Sequence, residues 1–324
     1  MFQRTPVTRR EMLTSAALGL LSLPSLASLA WASRRKTFDE PKRNPYRGSD
    51  DQLLDEIERA AFDFFWNEAS STTGQVRDRA LLNGGETFSM GWKPGSGFLN
   101  ARWNHYCELM MIYLLAIGSP THSVPSETWK AWTRPTVKFQ EFEYISGNDP
   151  LFTHQYSQAW FDFRHKRDAY ADYFTNSVTA TEAHKGFCIS LRDEFPDYSA
   201  HLWGITSSDS AAGYQAWGGP PRIGRLDGSV VPCAAGGSLP FLQEDCSLVL
   251  RTIRERYPKA WGRYGFVDAF NPLTGWYNPD VLGIDLGITM LMAENARSGF
   301  VWNTFMKNKD AGRAMEKAGF KAGG

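Results

Sequence analysis

The chain has 324 residues in which 35 Lys+Arg balance 35 Asp+Glu, a formal net charge of zero at pH 7. A neutral chain without a basic run lacks the electrostatic footprint of a nucleic-acid or anionic-membrane binder, so neither is expected as a partner. Its length allows one large or two small domains, and four cysteines without a CxxC pair (Cys107, Cys188, Cys233, Cys246) are too few for a disulfide scaffold.

At the N-terminus, Arg9-Arg10 stands just ahead of a weakly apolar stretch, residues 16–32. Gly19 and Pro24 break that stretch, and it ends in the small-x-small pattern Ala30-Trp31-Ala32. It is too interrupted for a comfortable membrane span and reads as a twin-arginine signal peptide over residues 1–32, addressed to the Tat export machinery. The mature chain is therefore expected in the periplasm or secreted, with no membrane span. Export after folding in a reducing compartment predicts free, buried thiols.

Residues 33–48 read as a polar tether. A helix capped by Asp50/Asp51 is predicted to run to about Ala69, with Leu53, Leu54, Ile57, Ala61, Phe64 and Phe65 at helical spacing. Further helices are predicted over 103–117, 126–132, 155–172, 177–194, 239–256, 279–297 and 300–307. These place the folded domain at 49–310 and leave 311–324 as a polar tail. Alternation of period two is scarce, so the fold class is all-α. The connections 83–100, 142–155, 201–236 and 262–279 are long and rich in Gly, Pro, Asn and aromatics, as functional loops tend to be. Helices joined by elaborate loops on one side point to a toroid of paired helices around a cleft.

Phosphate-loop and nucleophile-elbow motifs are absent, and the six histidines lack i,i+4 metal spacing, so no cofactor and no metal are expected. Carboxylates are the better candidates. Glu108 shares a predicted apolar helix face with Met111, Ile112 and Leu115. Such surroundings raise a carboxyl pKa, as a proton donor to a glycosidic oxygen requires. A buried glutamate bonded to a neighbouring loop is the equal alternative. Asp209 lies in a Ser-rich turn and could equally cap a short helix over 211–214. Asp268 is a loop carboxylate among aromatics, and Asp280 reads as an N-cap. Asp285 interrupts an apolar run and so needs a partner. Five tryptophans adjoin glycine: Trp92, Trp203, Trp217, Trp261 and Trp276. Each alone reads as a loop plug, but five together point to flat faces for sugar rings.

Several strings carry a resemblance. They include Leu82-Asn83-Gly84-Gly85-Glu86-Thr87-Phe88-Ser89-Met90-Gly91-Trp92, Asn104-His105-Tyr106-Cys107-Glu108-Leu109-Met110, Leu151-Phe152-Thr153-His154-Gln155-Tyr156-Ser157 and Tyr264-Gly265-Phe266-Val267-Asp268-Ala269-Phe270-Asn271-Pro272. With these, nearly all of residues 51–308 resembles the glucoamylase-like family, which contains bacterial endo-β-1,2-glucanases and a region of cyclic β-1,2-glucan synthases. The resemblance implies an (α/α)6 barrel and hydrolysis of β-glucan by two carboxyl groups, one acid and one base acting through water. It matches Glu108 to the acid, and the base stays unassigned among Asp209, Asp268, Asp285 or a residue lost with a missing segment. One departure stands out. Relatives carry several helices between the stretches resembling residues 74–79 and 82–85, which here nearly touch, so the barrel is expected to be incomplete.

The expected function is inverting hydrolysis of an oligo- or polysaccharide β-glucan, most consistent with β-1,2 linkage. Trp92, His154, Tyr156, Trp203, Trp217 and Trp276 are the candidate substrate-binding residues. Two other readings stay open: a non-catalytic sugar-binding remnant, and a polysaccharide lyase with His154 as base and Tyr156 as acid. New reducing ends, no product, or an unsaturated sugar would separate the three.

Overall fold

A computed structural model of the chain describes residues 47–68, 87–93, 97–121, 123–147 and 150–323. The signal peptide, most of the tether and the junction of 74–79 with 82–85 lie outside these residues.

The first helix, α1 (Asp50–Glu68), starts with a reciprocal cap. The Gln52 amide donates to Ser49 Oγ at 3.2 Å, and Ser49 N donates back to Gln52 Oε1 at 2.8 Å. The cap is thus Ser49 rather than Asp50 or Asp51, whose charges instead complement the first turn. Leu53, Leu54 and Ile57 are buried in the larger core, where α1 packs on α6 (Gln243–Arg256) and α7 (Gly283–Arg297).

The next predicted helix begins seven residues later than its pattern implies. Phe88–Ser89 (β1) pairs with Arg102–Trp103 (β4), and between them Trp92–Lys93 (β2) pairs with Gly97–Phe98 (β3). Tyr106 N donates to Thr133 O at 2.8 Å and Thr133 N to Asn104 O at 2.9 Å. This long-range pairing holds residues 102–106 extended, so α2 spans only Met110–Gly118. Its Met110, Tyr113, Leu114 and Ile117 are fully buried.

After a 3₁₀ turn at Ser126–Lys130 and the hairpin β5 (Thr136–Phe139)–β6 (Phe142–Ile145), the helix predicted over 155–172 also proves short. α3 is Tyr156–Trp160. Asp162 accepts from Arg164 N at 3.0 Å, and Asp168 accepts from Tyr170 N at 2.7 Å and Ala171 N at 2.8 Å. These side chains offer the backbone an alternative to the helix, and Lys166–Arg167 (β7) is drawn into a strand pair. Asp172 then caps α4 (Tyr173–Ser190), accepting from Thr175 N at 2.9 Å. The short α5 (Pro232–Gly236) and α6 follow. Next come the hairpins β8 (Trp261–Gly262)–β9 (Gly265–Phe266) and β10 (Phe270–Asn271)–β11 (Trp276–Tyr277), then α7 and α8 (Phe300–Phe305). The fold is predominantly helical. Every sheet among the described residues has two strands, and these hairpins occupy the connections expected to be loops.

The expected polar tail is corrected. Asn308 caps a ninth helix, α9 (Lys309–Lys317), through Asp310 N. Its Ala311, Ala314 and Met315 are buried in a second core built on α2. A Cβ on Gly118 would stand 2.5 Å from Asp310 O, so only glycine permits this approach of α2 to α9. Lys321–Ala322 (β12) then pairs with β7. With two alanines and a methionine facing inward from α9 and one aromatic, Phe320, beyond it, the stretch carries too weak an apolar signal to be read as core.

The α1–α7 contact is unusually acidic. Arg297 lies within 4 Å of Asp51, Asp55, Glu58 and Glu294, and its closest partner is Glu58 at 2.8 Å. Burial, then the hydrogen bond and charge of Glu294, push Glu58 from 4.5 up to about 8, against the pull of Arg297. The folded state thus keeps a proton that the unfolded chain releases above its ordinary pKa. Stability is full at acid pH, falls as pH rises from about 4.5 towards 8, and levels off above. Glu58→Gln is expected to flatten that slope in thermal midpoints measured from pH 5 to 9. An unchanged slope would place the proton elsewhere.

Candidate active site

Three segments far apart in sequence deliver carboxylates to one place. Asp268 lies between β9 and β10. Val267 N donates to Ala260 O and Asn278 N to Ala269 O, both at 2.9 Å, which fixes the backbone on either side of it. Its side chain is 1% exposed. Asp209 lies on a loop whose Ser208 and Gln215 bridge, with Trp217 Nε1 donating to Ser208 Oγ at 3.1 Å. Asp285 stands in the first turn of α7.

Asp268 Oδ2 accepts from Asp209 N at 2.8 Å and from Asn278 Nδ2 at 2.9 Å. The same Nδ2 donates to Asp209 Oδ2 at 3.2 Å. Asp285 hydrogen-bonds to the Asp268 side chain. Burial raises the Asp268 pKa, while Asp285, the Asp209 amide and Asn278 pull it back. Two carboxyls can bond to each other only if one holds a proton, so Asp268 and Asp285 act as a proton-sharing pair. Asp285 also borders a cavity of about 10 Å³ with Cys233, Phe266 and Thr289, room for about one water. Cys233 is raised well above its usual value by burial and then by the charges of Asp285 and Asp268, so it is a neutral thiol rather than a nucleophile. All four cysteines are free and buried. No described group of His, Cys, Asp and Glu could hold a metal ion, and no described helix is long and apolar enough to cross a membrane.

Beneath the aspartates lies an apolar floor that includes Cys233, Ala269, Ile288 and Met292, on which the half-buried Tyr156 and Trp276 pack. The Glu108 peptide is tied to α3. Ser157, next to Tyr156 on α3, donates from Oγ to Glu108 O at 2.9 Å and accepts from Met111 N at 3.0 Å. Glu108 itself lies in the turn before α2, not inside a helix, and the residues expected to share its face are only half-buried or, for Leu115, 53% exposed. The helical placement expected for it is therefore corrected.

The tryptophans divide. Trp203 is 0% and Trp217 2% exposed, both in the larger core, so they cannot offer faces to a sugar. Trp276 is half-buried at the floor's edge, and Trp92 pairs with Phe98 in the β2–β3 hairpin. His154 is also corrected. It is 2% exposed, its Nδ1 lies 3.0 Å from Tyr106 Oη, and burial, then the nearby His184, lower it to about 3. Tyr156 turns instead onto Phe152, so the pair expected for elimination is not assembled. Asp280 is exposed and precedes a helix that starts only at Gly283. The sequence reading missed Asn278. Its one signal, an Asn-Pro pair ahead of a helix, reads as a cap.

The Glycoamylase family model, described as "Putative glucoamylase", matches residues 100–309. An exo β-1,2-glucooligosaccharide sophorohydrolase (non-reducing end) of Parabacteroides distasonis is 28% identical over 254 residues, covering 70% of this chain and 35% of that protein. The chain thus spans about a third of that relative's length. A solved endo-β-1,2-glucanase of Chitinophaga pinensis, in complex with sophorotriose and glucose, superposes with a TM-score of 0.70 at 26% identity, over 84% of this chain and 69% of that one. A β-1,2-glucanase of Parabacteroides distasonis shares the fold, with a TM-score of 0.68 at 22% identity over 83% and 44% of the two chains.

Proposed function

The chain belongs to the Glycoamylase family, and from that membership we propose that it is a glycoside hydrolase acting on β-1,2-linked glucan. The observation that carries the reading is the convergence of Asp209, Asp268 and Asp285 beside an apolar floor on which Tyr156 and Trp276 pack. In the inverting scheme Glu108 protonates the glycosidic oxygen as the bond to the leaving sugar breaks. A water then attacks the anomeric carbon from the opposite face and gives up its proton to the aspartates. Asp285 is the base. It borders the water-sized cavity, is held on a helix, and shares a proton with Asp268, which gives the pair capacity for one more. Tyr156 and Trp276 would flank the sugar. The whole fold is read as an (α/α)6 toroid shortened between Asp78 and Leu82.

The test is reducing-end release from linear β-1,2-glucan by the purified chain. Saccharide binding without release would make it a sugar-binding protein, and an ultraviolet-absorbing product would make it a lyase. The route to the substrate is the Arg9-Arg10 signal. Replacing both arginines by lysine should retain the precursor in the cytoplasm, as read by fractionation and immunoblot. Undiminished delivery to the periplasm would rule that route out.

A further inference from the structure

Asn278 is 4% exposed and does not titrate, yet its main-chain N–H and both side-chain polar atoms are committed. Its main-chain N–H is bonded to Ala269 O. Its Oδ1 accepts from Asp280 N at 3.0 Å, which fixes the amide orientation. Both Nδ2 hydrogens must then face the aspartates, one to Asp268 Oδ2 at 2.9 Å and one to Asp209 Oδ2 at 3.2 Å. Flipping the amide would set its oxygen against two carboxylates and its NH2 against an N–H. A bidentate donor between two acid side chains is the arrangement that allows both to remain ionised at short range.

We propose that Asn278 is a positioning residue that holds the Asp268–Asp285 pair in its singly protonated, proton-accepting form by donating to Asp268 and Asp209 together. The titratable groups facing Asp268 are Asp209 from the 201–216 loop, Asp285 from α7 and Cys233 from α5. Cys233 is neutral, so the balance is set among the three carboxyls and the N–H donors on Asp268 Oδ2. As a base the pair works only while it has room for a second proton, and the pH at which it fills is a property of the pair. Each N–H donated to the ionised form lowers that pH.

The inference rests on the hydrolase reading, and the experiment keeps the two apart. In the full chain, Asn278→Ala should shift the acid limb of the kcat–pH profile upward by about one unit, the scale of one hydrogen bond to a charged group. KM at the optimum should change little. Asn278→Asp, which keeps the shape but replaces the donor by a further acid, should shift the limb further. Asn278→Gln, which restores a donor, should shift it less than alanine does. In parallel, the carboxyl titration followed by ¹³C NMR with labelled aspartate should move in the same order, whether or not the chain turns over glucan. Acid limbs and carboxyl titrations unmoved in the alanine and aspartate variants, with only kcat or thermal midpoint lowered, would overturn the proposal. Shifted titrations in a chain that releases no reducing ends would uphold it and sink the hydrolase reading instead.

Discussion

On the proposed hydrolase reading, Asp285→Asn is expected to cost about 10²–10⁴-fold in kcat on linear β-1,2-glucan, the usual contribution of a positioned base, with KM little changed. The amide fills nearly the same volume in the first turn of α7 but cannot take the proton of the attacking water. Asp268→Asn should fall by a comparable factor, because Asp268 and Asp285 share a proton and act as a unit whose single losses do not add. Asp209→Asn should lose far less, since Asp209 meets the pair only through its main-chain N–H and the Asn278 bridge. Glu108→Gln should again be severe, and less so on a substrate whose leaving group needs no proton. Full turnover in Asp285→Asn, with loss in Asp209→Asn, would transfer the base to Asp209.

The second large effect falls on stability. Trp203→Ala removes a fully buried indole that meets His184 edge-on, with ring centroids 6.3 Å apart, in the core that α1, α6 and α7 share. Such truncations cost about 3–5 kcal/mol. For a domain of this size that is a fall of roughly 6–20 °C in thermal midpoint. Trp276→Ala, at the edge of the apolar floor, should instead weaken binding of β-1,2-gluco-oligosaccharides with a much smaller change in midpoint. Calorimetry paired with fluorescence titration separates the two. A stable Trp203→Ala chain that has lost saccharide affinity would return that indole to the cleft.

What could be read in advance follows from the range of the forces involved. Helices α1, α4, α6 and α7 could be read from local pattern, with side-chain caps on α1 and α4 alone, and each is found within a few residues of its predicted span. The start of α2 and the end of α3 could not be read that way. The first is decided by the pairing of Asn104 and Tyr106 with Thr133, the second by Asp162 and Asp168 bonding to nearby amides. The three aspartates were each visible as candidates, one on a Ser-rich loop, one among aromatics, one in an apolar run. Their meeting was not, since it depends on how Asn278 is held. Glycine beside tryptophan proved ambiguous for a physical reason. Close approach serves core packing as well as it serves a ligand, and only burial tells Trp203 and Trp217 from Trp276.

The seating of α9 on α2 has a consequence for synthesis. Part of the apolar side of residues 110–118 finds its cover in residues 311–315, so almost two hundred residues must leave the ribosome before that part is shielded. Loop closure over that span comes late, and until then the part of α2 that meets α9 faces water in a nascent chain. The α2 side of the molecule therefore completes only once residues 309–317 have been made, and until then it offers a chaperone an apolar surface.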